Sequence, residues 1–427
     1  MKSTYMKEIF LDSLFTFISN SISRLSFIIL SIVTAKVLIS EDFHSFTIMM
    51  STLNMIVSSI GFAVGITIVK SAVEYHNNKT KNKEREYFSF IKLFIIGSLV
   101  VFIGVSFLYN LISELLFNGK VYFALAFLTL TILALYYTVS SYFLIGVKDF
   151  KSLSKYNLLI GTVFILSLLM VMYTDLSYNS LYTITLLLAS FYFTGILLCV
   201  RKYAQLIPGF NRIEFKLHST DENYFKKITL PAFLSNLVYA FTVWLQIIIV
   251  GYLLNDRNMA SEVATGLIWF NALAFIPQTI STVILPRISS ENKNKLKILK
   301  VGMLINVCST CILISFLTLT KSQINELYSS QFEQLADLIL IMSFASLPNA
   351  CCKVTGQYFI ASSKMNISLM FNSLWAIVYI FTNVILLKFG FGVFSVGYAL
   401  IISYSILFFS QYVFIRVSET NELCNSN

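Results

Sequence analysis

The sequence predicts an all-α integral membrane protein of about twelve transmembrane helices. Three observations carry this: 57% of the 427 residues are hydrophobic, only 12% are charged, and apolar runs recur from residue 13 to residue 415. A soluble domain carries about 25% charged residues, and a soluble chain of this length would normally divide into domains joined by polar linkers. A net charge of +10 points to nucleic acid only with a basic face on a soluble domain or an arginine-rich tail. The chain has neither, so membrane lipids are expected as partners and nucleic acid is not.

A spanning helix needs roughly 20 apolar residues, and twelve segments qualify. The first, 13 to 39, follows Lys2 and Lys7 but has no small-residue cleavage site, so it reads as a retained span and not a signal peptide. The others are 43 to 69, 88 to 110, 121 to 147, 155 to 174, 181 to 200, 230 to 254, 262 to 286, 299 to 320, 335 to 361, 367 to 387 and 391 to 415. Lysine and arginine in alternate loops test the count: 23 fall on the side of the N-terminus and four, Lys120, Arg257, Lys321 and Lys388, on the other. That bias places both termini in the cytoplasm and supports an even number of spans.

The longest loop, 201 to 229, contains Pro208 and Gly209 and separates six spans (1 to 200) from six more (230 to 427). An offset of 216 aligns Phe17, Ser19 and Asn20 with Phe233, Ser235 and Asn236, and Tyr142, Phe143 and Lys148 with Tyr358, Phe359 and Lys364. Halves with an even number of spans enter from the same side, so the two six-helix bundles are a parallel repeat, and transporters run their substrate path between such halves.

Ionisable groups deep in a span are costly and point to function. Arg24 lies mid-way along the first span, on a stripe formed by Asp12, Thr16, Asn20 and Arg24 and continued by Ser31. It has two readings, substrate contact or snorkelling toward the cytoplasmic end. Lys353 shares a face of the tenth span with Ser346, Asn349 and Gln357, either a polar lining or an interhelical hydrogen-bond cluster. Lys92, one turn inside its span, reads as structural. Polar faces recur at Asn236, Tyr239 and Gln246, and at Asn271, Gln278 and Thr282. Lys70 and Arg287 end the second span of each half and either hold an anionic headgroup at the mouth of a cleft or anchor the helices by the positive-inside rule. Pro277 and Pro348 interrupt backbone ladders, as hinges or as packing kinks.

No phosphate-binding glycine loop, no HExxH and no paired mid-membrane carboxylates are present, and His44, at the edge of the second span, lies far from His76 and His218 in the loops. Catalysis, cofactor and metal are therefore not expected. Cys308 and Cys311 have metal-ligand spacing but no second pair, and read as small packing residues; no disulfides are expected.

The stretch Ala35-Lys36-Val37-Leu38-Ile39-Ser40-Glu41-Asp42-Phe43-His44-Ser45-Phe46 resembles the "ARxLgpedfGxf" turn of polysaccharide flippases in the multidrug/oligosaccharidyl-lipid/polysaccharide (MOP) exporter superfamily. It departs by lysine for arginine and histidine for glycine. IWFNALAFIPQTISTVILPRISS, 268 to 290, is similar to their eighth helix, and TGQYFIASSKMNISLMFNSL, 355 to 374, to their tenth and eleventh. The resemblance implies a Wzx-type flippase of the bacterial cytoplasmic (inner) membrane, with two six-helix bundles around a central cleft of alternating access. Its implied cargo is an undecaprenyl-diphosphate-linked oligosaccharide for O-antigen, capsule or exopolysaccharide, and its implied partners a glycan polymerase and a chain-length regulator. Family pattern puts cations in the cleft, where Arg24 fits; Lys70, Arg287 and Lys353 join it by position alone. A MATE-like cation-coupled drug exporter, a membrane polymerase or scaffold of glycan assembly, and a carrier of lipid-linked peptidoglycan precursor are the alternatives.

Overall fold

The computed structural model describes residues 2–61, 63–65, 68–69, 103, 109–117, 119–147, 149–173, 180–206, 230–290, 295–328, 332–362 and 364–425. The expected third span, 88 to 110, and the loop before it lie almost wholly outside the described residues, as do Lys70 and Lys92.

The fold is nearly all helix. The first group of elements is α1 (Lys2–Val37), α2 (Ser40–Ile56, running on through a π-helical turn at Val57–Gly61), α3 (Tyr109–Phe117), α4 (Val121–Gly146), α5 (Phe150–Tyr173) and α6 (Ser180–Leu206). The second is α7 (Leu230–Leu253), α8 (Arg257–Ser290), α9 (Lys295–Leu319), α10 (Lys321–Tyr328), α11 (Leu335–Ala361), α12 (Met365–Lys388) and α13 (Phe394–Asn425). Among the described residues ten helices are long and apolar enough to cross a membrane. To these α1 adds a 36-residue helix over the first expected span. Outward-facing Leu166, Met170, Leu186, Ile312, Phe316 and Phe381 are each at least 60% exposed. In water such surface would drive association; in hydrocarbon it meets a matching solvent.

Each helix ends where the chain must turn. Asn255 takes a left-handed φ of 50° between α7 and α8, and the Asp256 carboxylate then accepts the Asn258 N–H at 2.8 Å, satisfying a donor at the start of α8. Gly390 and Gly392, both at positive φ, form the turn between α12 and α13. Asp149 caps α5 through the Ser152 N–H at 3.1 Å.

The repeat reappears in the helix boundaries. Shifted by 216, α4 would fall on 337–362, where α11 is Leu335–Ala361; α5 on 366–389, where α12 is Met365–Lys388; and α6 on 396–422, where α13 is Phe394–Asn425. By compactness the chain divides into Met1–Ala240 and Phe241–Asn427, the boundary falling within α7. Residues 207–229 of the expected linker lie outside the described part.

In the first unit α1 packs on α5, and α4 and α5 on α6. Gly161 permits the α1–α5 approach, because a Cβ there would stand 2.6 Å from Ile22 Cγ2. In the second unit α11 is the hub, packed against α8, α9 and α13, while α12 packs on α13. The helices continue through the two prolines read as hinges or packing kinks, Pro277 in α8 and Pro348 in α11.

Candidate functional site

The polar residues singled out in the sequence divide by burial. Arg24 is exposed, with Tyr239 on α7 near enough to interact with the guanidinium electrostatically. An exposed cation here is compatible with both sequence readings, contact with a cargo and snorkelling toward the cytoplasmic end. Of the rest of the α1 stripe, Ser31 is buried and donates to the Ile28 carbonyl at 2.8 Å. The side chains of Asp12, Thr16 and Asn20 lie outside the described residues.

On α11, Ser346, Asn349 and Gln357 are buried and Lys353 half-buried, so this face turns into the protein with its cation partly open. On α8, Asn271 and Gln278 are half-buried and Arg287 lies in the last turn of the helix, its side chain outside the described part. Asn236 on α7 is half-buried as well.

Gln246 is different. It is fully buried and its Oε1 accepts from Asn383 Nδ2 of α12, which is also fully buried. In this conformation it offers no surface to a cargo and serves as an interhelical tie. Gln246 Nε2 and Asn383 Oδ1 have no hydrogen-bond partner among the described residues.

The structure adds polar groups that the sequence reading passed over. Asn306, fully buried on α9, directs Nδ2 at Ser281 Oγ (2.9 Å) and the carbonyls of Ala350 (3.0 Å) and Pro277 (3.2 Å), joining α9 to α8 and α11 beside both prolines. Thr355 on α11 donates to Gln411 on α13, both buried. Glu262, five residues into α8, is 7% exposed. Asn306 is a lone amide in an apolar helix and makes no stripe. Glu262 stands at the very edge of its expected span, 262 to 286, where a carboxylate reads as interfacial. Cys308 and Cys311, expected as packing residues, are corrected by the structure: both are exposed on α9.

An ionic clasp stands at the distal end of the first half, the end at which α1 finishes. Lys120 Nζ, just before α4, lies 2.7 Å from Asp42 Oδ1 and 3.2 Å from Glu41 Oε1 at the start of α2. Burial works against the charge of this ammonium, but the hydrogen bonds and charges of Asp42 and Glu41 outweigh it and hold the pKa above its ordinary value.

No protein-family pattern matches the chain, and no curated protein matches it by sequence. Solved structures do match in fold. One is an inward-facing multidrug resistance MATE family transporter of the MOP superfamily, with a TM-score of 0.77 at 11% identity, covering 96% of this chain and 100% of that one. A eukaryotic MATE transporter matches at TM-score 0.75 and 13% identity, covering 96% of both chains. A MOP superfamily transporter from Pyrococcus furiosus, described as having a binding pocket of reversed polarity that suggests a different function, matches at 0.67 and 12%, covering 97% of this chain and 96% of that one. At such identities the likeness establishes the fold: this chain is built as MATE transporters of the MOP superfamily are.

Proposed function

We propose that this chain is a transporter that carries an anionic, lipid-linked substrate across the bacterial cytoplasmic membrane. In its specific form it is a flippase for undecaprenyl-diphosphate-linked oligosaccharide in O-antigen, capsule or exopolysaccharide assembly. The fold likeness supports transport, and one observation supports the sign of the cargo. Among the described residues, the charged side chains furthest inside the spans are Arg24 and Lys353, both cations, and Arg24 is exposed. A guanidinium offers a fork of donors that matches phosphate oxygens bidentately, and a partly dehydrated site strengthens each such bond. The lipid tail needs no pocket, since it can remain in the bilayer while the headgroup travels.

Lys353, Lys70, Arg287 and the amides Asn20, Asn236, Asn271, Gln278 and Gln357 are the remaining candidates for contact with the headgroup and its sugars. Gln246 joins them only in a conformation that opens its pair with Asn383. A deletion strain provides the test. It is expected to accumulate the lipid-linked glycan in the cytoplasmic leaflet and to lose surface glycan. Intact surface glycan with no build-up, in a strain without a second flippase, contradicts the proposal.

Export of drugs is the second reading, favoured by the fold likeness to multidrug transporters. It predicts that the deletion sensitises cells to cationic compounds and leaves surface glycan unchanged.

A further inference from the structure

Positive charge is concentrated at the end of the first unit where α5 begins and α6 finishes. Lys151 and Lys155 stand one turn apart on one face of α5, and Arg201 and Lys202 lie in the last two turns of α6. Two contacts place these residues at one level. Leu153 of α5 shares a buried apolar cluster with Cys199 and Tyr203 of α6, and Lys202 Nζ lies 3.9 Å from Asp149 Oδ2, just before α5. Asp149 is the one acid in these two helix ends, and it is already engaged by Lys202 and by the Ser152 N–H. Lys151, Lys155 and Arg201 are exposed and have no ion-pair partner among the described residues.

The cations stand at the head of an apolar surface. From Lys155 the exposed face of α5 continues through Leu159, Leu166 and Met170, and from Arg201 that of α6 continues through Leu197, Phe193 and Leu186. α5 and α6 pack on each other, so both stripes belong to one helix pair. At 1.5 Å per residue each stripe is about 16 Å long, roughly half of the hydrocarbon core and so the depth of one leaflet.

Positive-inside anchoring accounts for cations on this side of the membrane, but not for their concentration on one helix pair. Under the offset of 216 their counterparts, at the start of α12 and the end of α13, are Ile367, Phe371, Val417 and Ser418, all uncharged. The corresponding end of the second half has Lys364 and Arg416 instead. There Lys364 donates to Ser418 at 2.9 Å, and Arg416 lies over the Tyr412 ring.

We propose that this end of α5 and α6 is a binding site for an anionic two-chain phospholipid. Its phosphate sits on Lys151, Lys155 and Arg201, and its acyl chains lie along the apolar stripes of the two helices. The guanidinium of Arg201 supplies a fork of donors for phosphate oxygens, and the lysines supply point charges. A zwitterionic lipid brings the same phosphate together with a cation of its own, so four cations against one acid select the anionic class. The site is independent of what the protein carries.

Native mass spectrometry of the full-length protein released from detergent micelles tests this, with phosphatidylglycerol and phosphatidylcholine of matched chains added at equal concentration. The unsubstituted protein is expected to retain phosphatidylglycerol preferentially. Lys155→Gln combined with Arg201→Gln is expected to weaken that retention by at least about tenfold, from about fivefold for each cation near a membrane surface. Lys297→Gln combined with Lys300→Gln removes the same charge from exposed positions on α9 and is expected to leave retention unchanged. Equal loss in the two double variants would mean a diffuse attraction of the basic surface, and overturns the proposal. So does the absence of a preference for phosphatidylglycerol in the unsubstituted protein, a result that needs no variant to fold. Glycerophosphoglycerol, the headgroup without chains, is expected not to compete at equal concentration. Displacement by it, or stronger retention of a polyprenyl phosphate than of phosphatidylglycerol, contradicts a two-chain lipid at this site.

Discussion

Gly161 on α5 has Ile377 as its counterpart on α12 under the repeat, and the two halves are packed accordingly. In the first half the glycine admits Ile22 and Ser26 of α1, and the two helices lie in close contact. In the second half Ile377 is 55% exposed, and α7 and α12 meet through the Gln246–Asn383 amide pair. The charged groups differ in the same way: Arg24 is matched by Ala240, and Lys353 by Tyr137, a half-buried phenol that donates to Asn157 at 2.8 Å. Even the distal ends differ: an ion cluster at Lys120 in one half, and a buried carboxylate, Glu262, near the start of α8 in the other. One helix plan thus carries two solutions to helix association, and the charges inside the spans are not repeated between the halves.

The largest effect is expected from Gly161→Leu. The new side chain must displace Ile22 and part α1 from α5, at a cost of at least about 1–3 kcal/mol, read as a lowered unfolding temperature and loss of monodispersity in detergent. Ile377→Ala removes an outward-facing side chain and is expected to change stability little. Equal effects at the two positions would break the comparison.

Asn383→Ala leaves the Gln246 amide buried without its donor, for which about 1–2 kcal/mol is expected from unmet hydrogen bonding. Replacing both amides by leucine should recover most of that loss, because no polar group then remains to be satisfied. If the double variant falls further than the single one, the pair has a role besides helix association.

Lys120→Ala should cost least, about 0.2–1 kcal/mol as for exposed ion pairs, and less still in high salt. Because the pKa of Lys120 is raised on folding, its contribution is complete below the ordinary ammonium value of about 10.4. It is lost as pH rises through the elevated folded value. Unfolding temperatures of Lys120→Ala and the unsubstituted protein should therefore differ by a constant amount at neutral pH and converge only in strong alkali.

How much of this could be read in advance follows from the solvent. In a membrane every span must hide its backbone polar groups inside a helix, so long apolar runs translate almost directly into helices, and α4, α7 and α11 begin at the expected residues 121, 230 and 335. Charges within those runs, Arg24 and Lys353, are legible for the same reason. Partnerships are not: Gln246 and Asn383 lie 137 residues apart, and nothing local tells one amide that another will meet it. Asn306 likewise has meaning only once α8 and α11 are brought to its side. Gly161 resembles any other helical glycine until Ile22 is placed against it. Glu262 sat at the edge of a hydropathy segment, where only the packing of α11 could show that it is covered.

Reconstitution tests most directly whether a cation in the protein meets an anionic headgroup. In proteoliposomes of the unsubstituted protein, a fluorescent polyprenyl-diphosphate oligosaccharide should cross from the outer to the inner leaflet. Arg24→Ala, inserted in equal amount, is expected to slow the crossing by at least about tenfold, the loss of one charge-assisted hydrogen-bonded contact, with Arg24→Lys between the two. Crossing at the unsubstituted rate in Arg24→Ala would contradict the account.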